Sequence, residues 1–176
     1  MVGKVHNIHP QPVDPAHTRY FPAGTITIGV EYRDVDAAGF LATYRDEPDA
    51  LRQVEQKVSQ GDFFDEGVSL HVVDAADGHE YLRFDCFAGD PHYHYIHKTA
   101  PGEEHVNNVV AFDATACGDM VMWAIERIRT RLPEMLTEAG GGHLVATLDV
   151  ARIEVTAGQV LALAEEAVRN ERKEQL

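Results

Sequence analysis

Between residues 67 and 98 the chain writes three period-two runs in succession, "GVSLHVVD", "HEYLRFDCF" and "PHYHYIHK", joined only by "AADGH" and "AGDP". Alternating apolar and polar side chains belong on the two faces of a pleated strand. Connections this short join neighbours that run antiparallel. The stretch therefore predicts a three-stranded antiparallel meander, and any fold for this chain has to be built around it.

The flanking segments extend that sheet. In "TITIGVEYRDV" the residues Ile26, Ile28, Val30 and Tyr32 alternate with Thr25, Thr27, Gly29 and Glu31, which predicts a half-buried strand, the first of the chain. "EHVNNVVAF" predicts another after a turn at Gly102, and "HLVATLDV" a last one. Helical spacing takes over elsewhere. Asp46 before Pro48, with Leu51, Val54 and Val58 on one side and Gly61 as a stop, predicts a short helix covering the sheet.

A long helix is predicted from Asp113, an N-cap residue, with Cys117, Val121, Ala124, Ile125, Ile128, Leu132 and Leu136 along one face. Pro133 kinks or splits it and the glycines at 140–142 end it. A final helix opens on a capping box from Thr156 to Gln159 and carries Val160, Leu161, Ala164, Ala167 and Val168 on one side, with a charged end, "NERKEQL", expected to fray. Strands clustered early and helices late, without βαβ alternation, give an α+β fold: an antiparallel β-sheet, the central three-stranded meander plus flanking strands, with helices packed on one face. The opposite face is then wet, pocket-forming or covered by a partner.

Residues 1–22 carry Pro10, Pro12, Pro15 and Pro22, which exclude helix and predict an extended, partly mobile arm before a single domain over 23–176. The chain holds 29 acidic against 15 basic residues, a net charge of −14. Such a surface repels phosphate backbones and anionic lipid, so neither nucleic acid nor membrane is expected as a partner. No apolar run approaches the roughly 18 residues of a membrane span, and a cytoplasmic location is the default expectation. Cys86 and Cys117 sit in regular apolar patterns rather than in a C-x-x-C, and are expected as buried, reduced thiols.

The chemistry collects on one face of the meander. Closing the second hairpin at "AGDP" pairs Phe87 with His92, Asp85 with His94 and Arg83 with Ile96. Placing Val68, Leu70 and Val72 on the apolar face with Leu82, Phe84 and Cys86 puts Ser69 beside Asp85 and His71 beside Arg83. Ser69, His71, Arg83, Asp85, His92 and His94 then share the polar face. Tyr93, Tyr95 and His97 lie on the other, as core residues.

Two imidazoles two residues apart on a strand, facing a carboxylate, form a donor set for a divalent metal such as zinc, iron or manganese, with His92, His94 and Asp85 as ligands. His71 is then a fourth ligand or a nearby base. Without metal, Asp85 can orient a histidine as general acid or base, with His71 and Asp85 as the catalytic candidates and Ser69 the only hydroxyl at hand.

"HYHYIH" resembles the H-x-H-x-D-H signature of metallo-β-lactamase-fold hydrolases at His92, His94 and His97, with Ile96 at the acid's place. It also resembles the histidine-triad nucleotide hydrolase motif, with the third histidine at 97 instead of 96. The H-x-H resembles that of cupins, although Glu103 and Glu104 follow later than that family's glutamate. Each likeness covers fewer than ten residues, and no family is assigned from them. Two functions stay open: a small metal-assisted enzyme or small-ligand-binding protein, and a non-catalytic interaction protein whose polar face is an oligomer interface with structural histidines. A homodimer is compatible with both.

Overall fold

The computed structural model describes residues 3–58 and 64–174. Seven strands form one open antiparallel sheet: β1 (Lys4–His6), β2 (Thr18–Ala23), β3 (Ile26–Asp36), β4 (Phe64–Asp74), β5 (Glu80–Phe87), β6 (His92–His97) and β7 (Val106–Ala111). Their spatial order is β1-β7-β6-β5-β4-β3-β2. The expected meander is β4-β5-β6, and the α+β class is as read. The strand expected to be first is the third, because the arm supplies two of its own.

That arm is extended but not separate. β1 pairs with β7 at one edge and β2 with β3 at the other, so residues 7–17 must cross a face of the sheet. Six strand spacings of about 4.8 Å make roughly 29 Å, within the reach of an extended eleven-residue segment. Pro10, Pro12 and Pro15 suit such a crossing, since each lacks an N–H that would otherwise need a partner there.

On the apolar face, Ile28, Leu70, Val72, Leu82 and Phe84 pack against Ile125, Ile128, Leu136 and Val160 in one continuous core. The helical cover differs from its sequence pattern. The predicted long helix is three pieces, α3 (Ala114–Cys117), α4 (Met120–Thr130) and α5 (Leu132–Glu138), which follow α1 (Ala37–Tyr44) and α2 (Pro48–Val58) in the chain. Asp113 caps α3 as expected, but Gly118 at φ +79° turns the chain out and Asp119 caps anew through Met122 N at 2.9 Å. Cys117 therefore lies on an exposed stub, not in the buried stripe, and Cys86 is half-buried. Pro133 sits in the first turn of α5 and splits the helix.

"HLVATLDV" is not a strand. Residues Gly142–Thr147 form a 3-10 helix that brings Leu144 and Leu148 onto the core, and both sheet edges are already occupied by β1 and β2. The last helix, α6 (Val150–Glu174), begins six residues before the predicted capping box. Asp149 accepts from Arg152 N at 3.0 Å and starts it, while Thr156 is buried mid-helix and donates to the Pro22 carbonyl at 3.3 Å. Gly61, the expected stop of α2, and the final residues of the fraying end lie outside the described residues.

α1 was not apparent in the sequence. Its eight residues carry no charged side chain to mark a polar face against an apolar one, and Asp36, accepting from Gly39 N at 2.7 Å, starts it. Together α1 and α2 stand over the polar side of the sheet, where Tyr44, Ala50 and Val54 pack with Ile8 and Phe40 in a second, smaller core. Among the described residues no helix is long and apolar enough to cross a membrane.

Candidate metal centre

The polar face assembles as the alternation requires. Ser69 opposes Asp85 and His71 opposes Arg83 across β4 and β5. Across β5 and β6, however, Asp85 opposes His92 and Arg83 opposes His94, two residues away from the expected pairing. A two-residue shift leaves every side chain on its own face, so the predicted group survives the error. The cause is Asp65 on β4. Its carboxylate accepts from Gly89 N at 2.9 Å and Asp90 N at 2.7 Å, which draws residues 86–91 into a wide loop instead of a tight turn.

Within this group Asp85, His92 and His94 converge. Asp85 Oδ2 stands 3.0 Å from His94 Nε2 and 3.4 Å from His92 Nε2, and one ligand atom from each residue lies within 4.8 Å of the others. The far side of each ring is committed. His92 Nδ1 lies 2.6 Å from the Asp90 carbonyl oxygen and His94 Nδ1 2.7 Å from Asn107 Oδ1. Both oxygens are acceptors, so each Nδ1 donates to its partner and each Nε2 is aimed at the Asp85 carboxylate. Three ligand atoms then face one point, where either a proton on a ring or a cation holds them together.

Two donors each about 2.0–2.2 Å from a zinc-like ion stand roughly 3–3.5 Å apart at tetrahedral or octahedral angles, which is the spacing of Asp85 Oδ2 from each imidazole. Asp85 Oδ1 is occupied by the Ser69 hydroxyl, leaving Oδ2 for the cluster. Burial pushes the Asp85 carboxyl up, but the hydrogen bond and charge of His94, with Arg83 and His92 behind them, hold it well below the usual carboxylate range. Burial holds His92 below the ordinary imidazole range, with the nearby His94 adding to this against the pull of Asp85. A carboxylate that stays ionised and a ring that stays neutral are the ligand forms a metal needs.

His71 is on the same face but not in this cluster. It is 0% exposed, with Nδ1 2.6 Å from Glu80 and Nε2 3.3 Å from Glu31. Glu80 reaches the polar face because β5 bulges opposite Val72 and Val73, which turns Tyr81 into the core. It also holds Arg83 through Nε at 2.9 Å and Nη2 at 2.6 Å. Burial raises Glu80, and Arg83 and His71 more than reverse this, keeping it far below its ordinary value. Ser69 is fully buried with its proton given to Asp85, so it has no exposed hydroxyl to offer a substrate.

Beside the cluster lies a cavity of about 560 Å³. Its walls come from the sheet (Asp85, His92, His94, Asn107), from the crossing arm and from α1 and α2. The arm is tied down over the face: Arg83 Nη1 donates to the Gln11 carbonyl at 2.6 Å, and the Tyr44 hydroxyl to the His9 carbonyl at 2.9 Å. Of the three conditions open for this face, the chain forms a pocket there. Asn107, Glu80 and Arg33 were missed in the sequence. The pair of asparagines inside the apolar run "HVNNVV" was a readable signal for the first; a bulge hid the second.

The family described as Domain of unknown function (DUF7700) matches residues 20–165, and the chain belongs to it. No curated protein and no solved structure matches the chain.

Proposed function

We propose that this member of the DUF7700 family is a small metal-dependent enzyme in which Asp85, His92 and His94 hold one divalent ion against the cavity. The observation that carries the proposal is the fixed orientation of both rings, whose Nδ1 hydrogens are taken by Asp90 and Asn107 so that both Nε2 atoms meet Asp85. Two imidazoles and a carboxylate leave coordination positions open to water and to a ligand, as zinc and non-haem iron sites do. Bound there, the ion supplies Lewis acidity or an activated water for hydrolysis or oxidation of a small molecule. Ser69 and Asn107 hold the ligands in place, a duty that typically carries a 10–100-fold effect on affinity.

The competing function, an oligomer interface on this face, has less in its favour, because the arm and the α1–α2 pair already cover it. Dimerisation is a separate proposal, to be read from the oligomeric state in solution.

The test is elemental analysis of untagged protein, followed by calorimetric titration of chelator-treated protein with zinc, manganese(II) and anaerobic iron(II). One equivalent is expected for at least one ion, with His92→Ala and His94→Ala each abolishing it and Asp85→Asn weakening it comparably. Protein that contains no metal and gains no thermal stability from any of the three ions overturns the proposal, since an ion that binds the folded state must stabilise it.

A further inference from the structure

The charges around the cluster carry information about the ligand. Arg33, on the polar face of β3, lines the cavity at 7% exposure. Among the described residues its guanidinium contacts are long: Nη2 to the Pro12 carbonyl at 3.4 Å and Nε to Glu31 at 3.6 Å. Good N–H···O bonds fall at 2.7–3.2 Å. Arg83 is different, since the arm carbonyl and both oxygens of Glu80 occupy it. One arginine of the cavity is saturated and the other is loosely held.

The charges of this face come to balance before any ion is added. Arg33, Arg83 and a protonated His71 stand against Glu31, Glu80, Asp85 and Asp65, and Lys4 on the cavity wall offsets the remaining negative charge. A divalent ion on the cluster, with both its histidines neutral, leaves two positive charges uncompensated beside buried side chains. Such an excess is costly unless an anion joins it.

The spacing sets the kind of anion. Arg33 pairs with Gly67, and Gly67 with Phe87, two positions from Asp85 along β5. Two strand spacings and one two-residue step put the Cα atoms of Arg33 and Asp85 about 12 Å apart. No side chain rises between them at Gly67, where a Cβ would meet the Cys86 carbonyl oxygen at 2.6 Å. Both side chains rise from the same face into one cavity, so a ligand that bridges Arg33 and the cluster is a small molecule. The geometry points to a small carboxylate as the ligand class, its acid group held in the fork of Arg33 while its other end meets the metal. This rests on the metal proposal above, and a planar carboxylate suits the bidentate guanidinium.

Succinate and glutarate, with their neutral diamides as controls, are titrated calorimetrically into metal-loaded and chelator-treated protein, for the parent, Arg33→Gln and Arg33→Lys. A dicarboxylate should bind the metal-loaded parent at least tenfold more tightly than its diamide and more tightly than it binds the metal-free protein. Arg33→Gln should lose at least tenfold in dicarboxylate affinity while keeping its metal, and Arg33→Lys should lose less. Should Arg33→Gln fail to fold, the comparison of dicarboxylate with diamide on the parent decides. Metal uptake without preference for the dicarboxylate, or with affinity unchanged in Arg33→Gln, overturns the ligand class and leaves the metal site standing. No metal uptake at all overturns both.

Discussion

Asp85 and His92 face each other directly across β5 and β6, with His92 Nε2 3.4 Å from Asp85 Oδ2, and their opposition is imposed from a third strand. Asp65 on β4 gathers the amides of Gly89 and Asp90 and so fixes both the width of the connecting loop and the Asp90 carbonyl that orients His92. The cluster thus depends on a residue that is not one of its own members.

Asp65→Ala should test that dependence. Hydrogen bonds to a charged group contribute about 1.5–3 kcal/mol each, and the two here share one carboxylate, so a loss of roughly 2–4 kcal/mol in chemical unfolding is expected. With the Asp90 carbonyl released, the affinity of the remaining folded protein for its ion should fall about 10–100-fold. Unchanged metal affinity would show that His92 is held by its strand alone.

The helical cover offers an independent check of the core. Ile125 is 1% exposed among the sheet residues Leu70, Val72 and Phe84. Truncation to alanine should cost about 2–5 kcal/mol, the usual range for a buried aliphatic side chain. A midpoint of denaturation equal to the parent's would place α4 off the sheet.

The two thiols should behave oppositely. Cys117 is exposed on α3, whereas burial pushes the Cys86 thiol well above its ordinary value. A disulfide-exchange reagent at pH 8 should therefore modify one thiol per chain rapidly and the second only on unfolding, with the fast phase missing in Cys117→Ser. Two fast thiols would show that Cys86 is not covered.

The face of each meander residue was legible in the sequence because a period of two survives any even slip in register. The register was not, because the side chain that sets it, Asp65, lies outside the hairpin it controls. Breaks in the helices and the bulge beside Tyr81 were hidden for a related reason. Gly118 fits a C-cap signal, but the apolar spacing from Cys117 to Ile125 continues across it. The arm was read as extended from its prolines. That it crosses the sheet and roofs the site follows from the pairing of β1 and β2 at opposite edges, which no local pattern encodes.

The pair of His71 with Glu31 and Glu80 gives the last prediction, on pH. Burial disfavours the charged ring, but its donation to the carboxylates of Glu31 and Glu80 and the charge of Glu80 outweigh it, so His71 in the folded state titrates above its ordinary value. A group whose folded value is raised contributes stability that is fully present below its unfolded value, about 6.5, and is lost as pH rises through the folded value. His71→Gln keeps a polar side chain of similar reach but cannot be protonated. With chelator present throughout, the thermal midpoint of the parent should exceed that of His71→Gln most at pH 5.5–6.5, and the gap should narrow steadily as pH rises above that. The metal cluster is common to both proteins and drops out of the difference. A gap independent of pH between 5.5 and 9.5 would mean that the ring is neutral in the folded protein, and that Glu31 and Glu80 are balanced by the arginines alone.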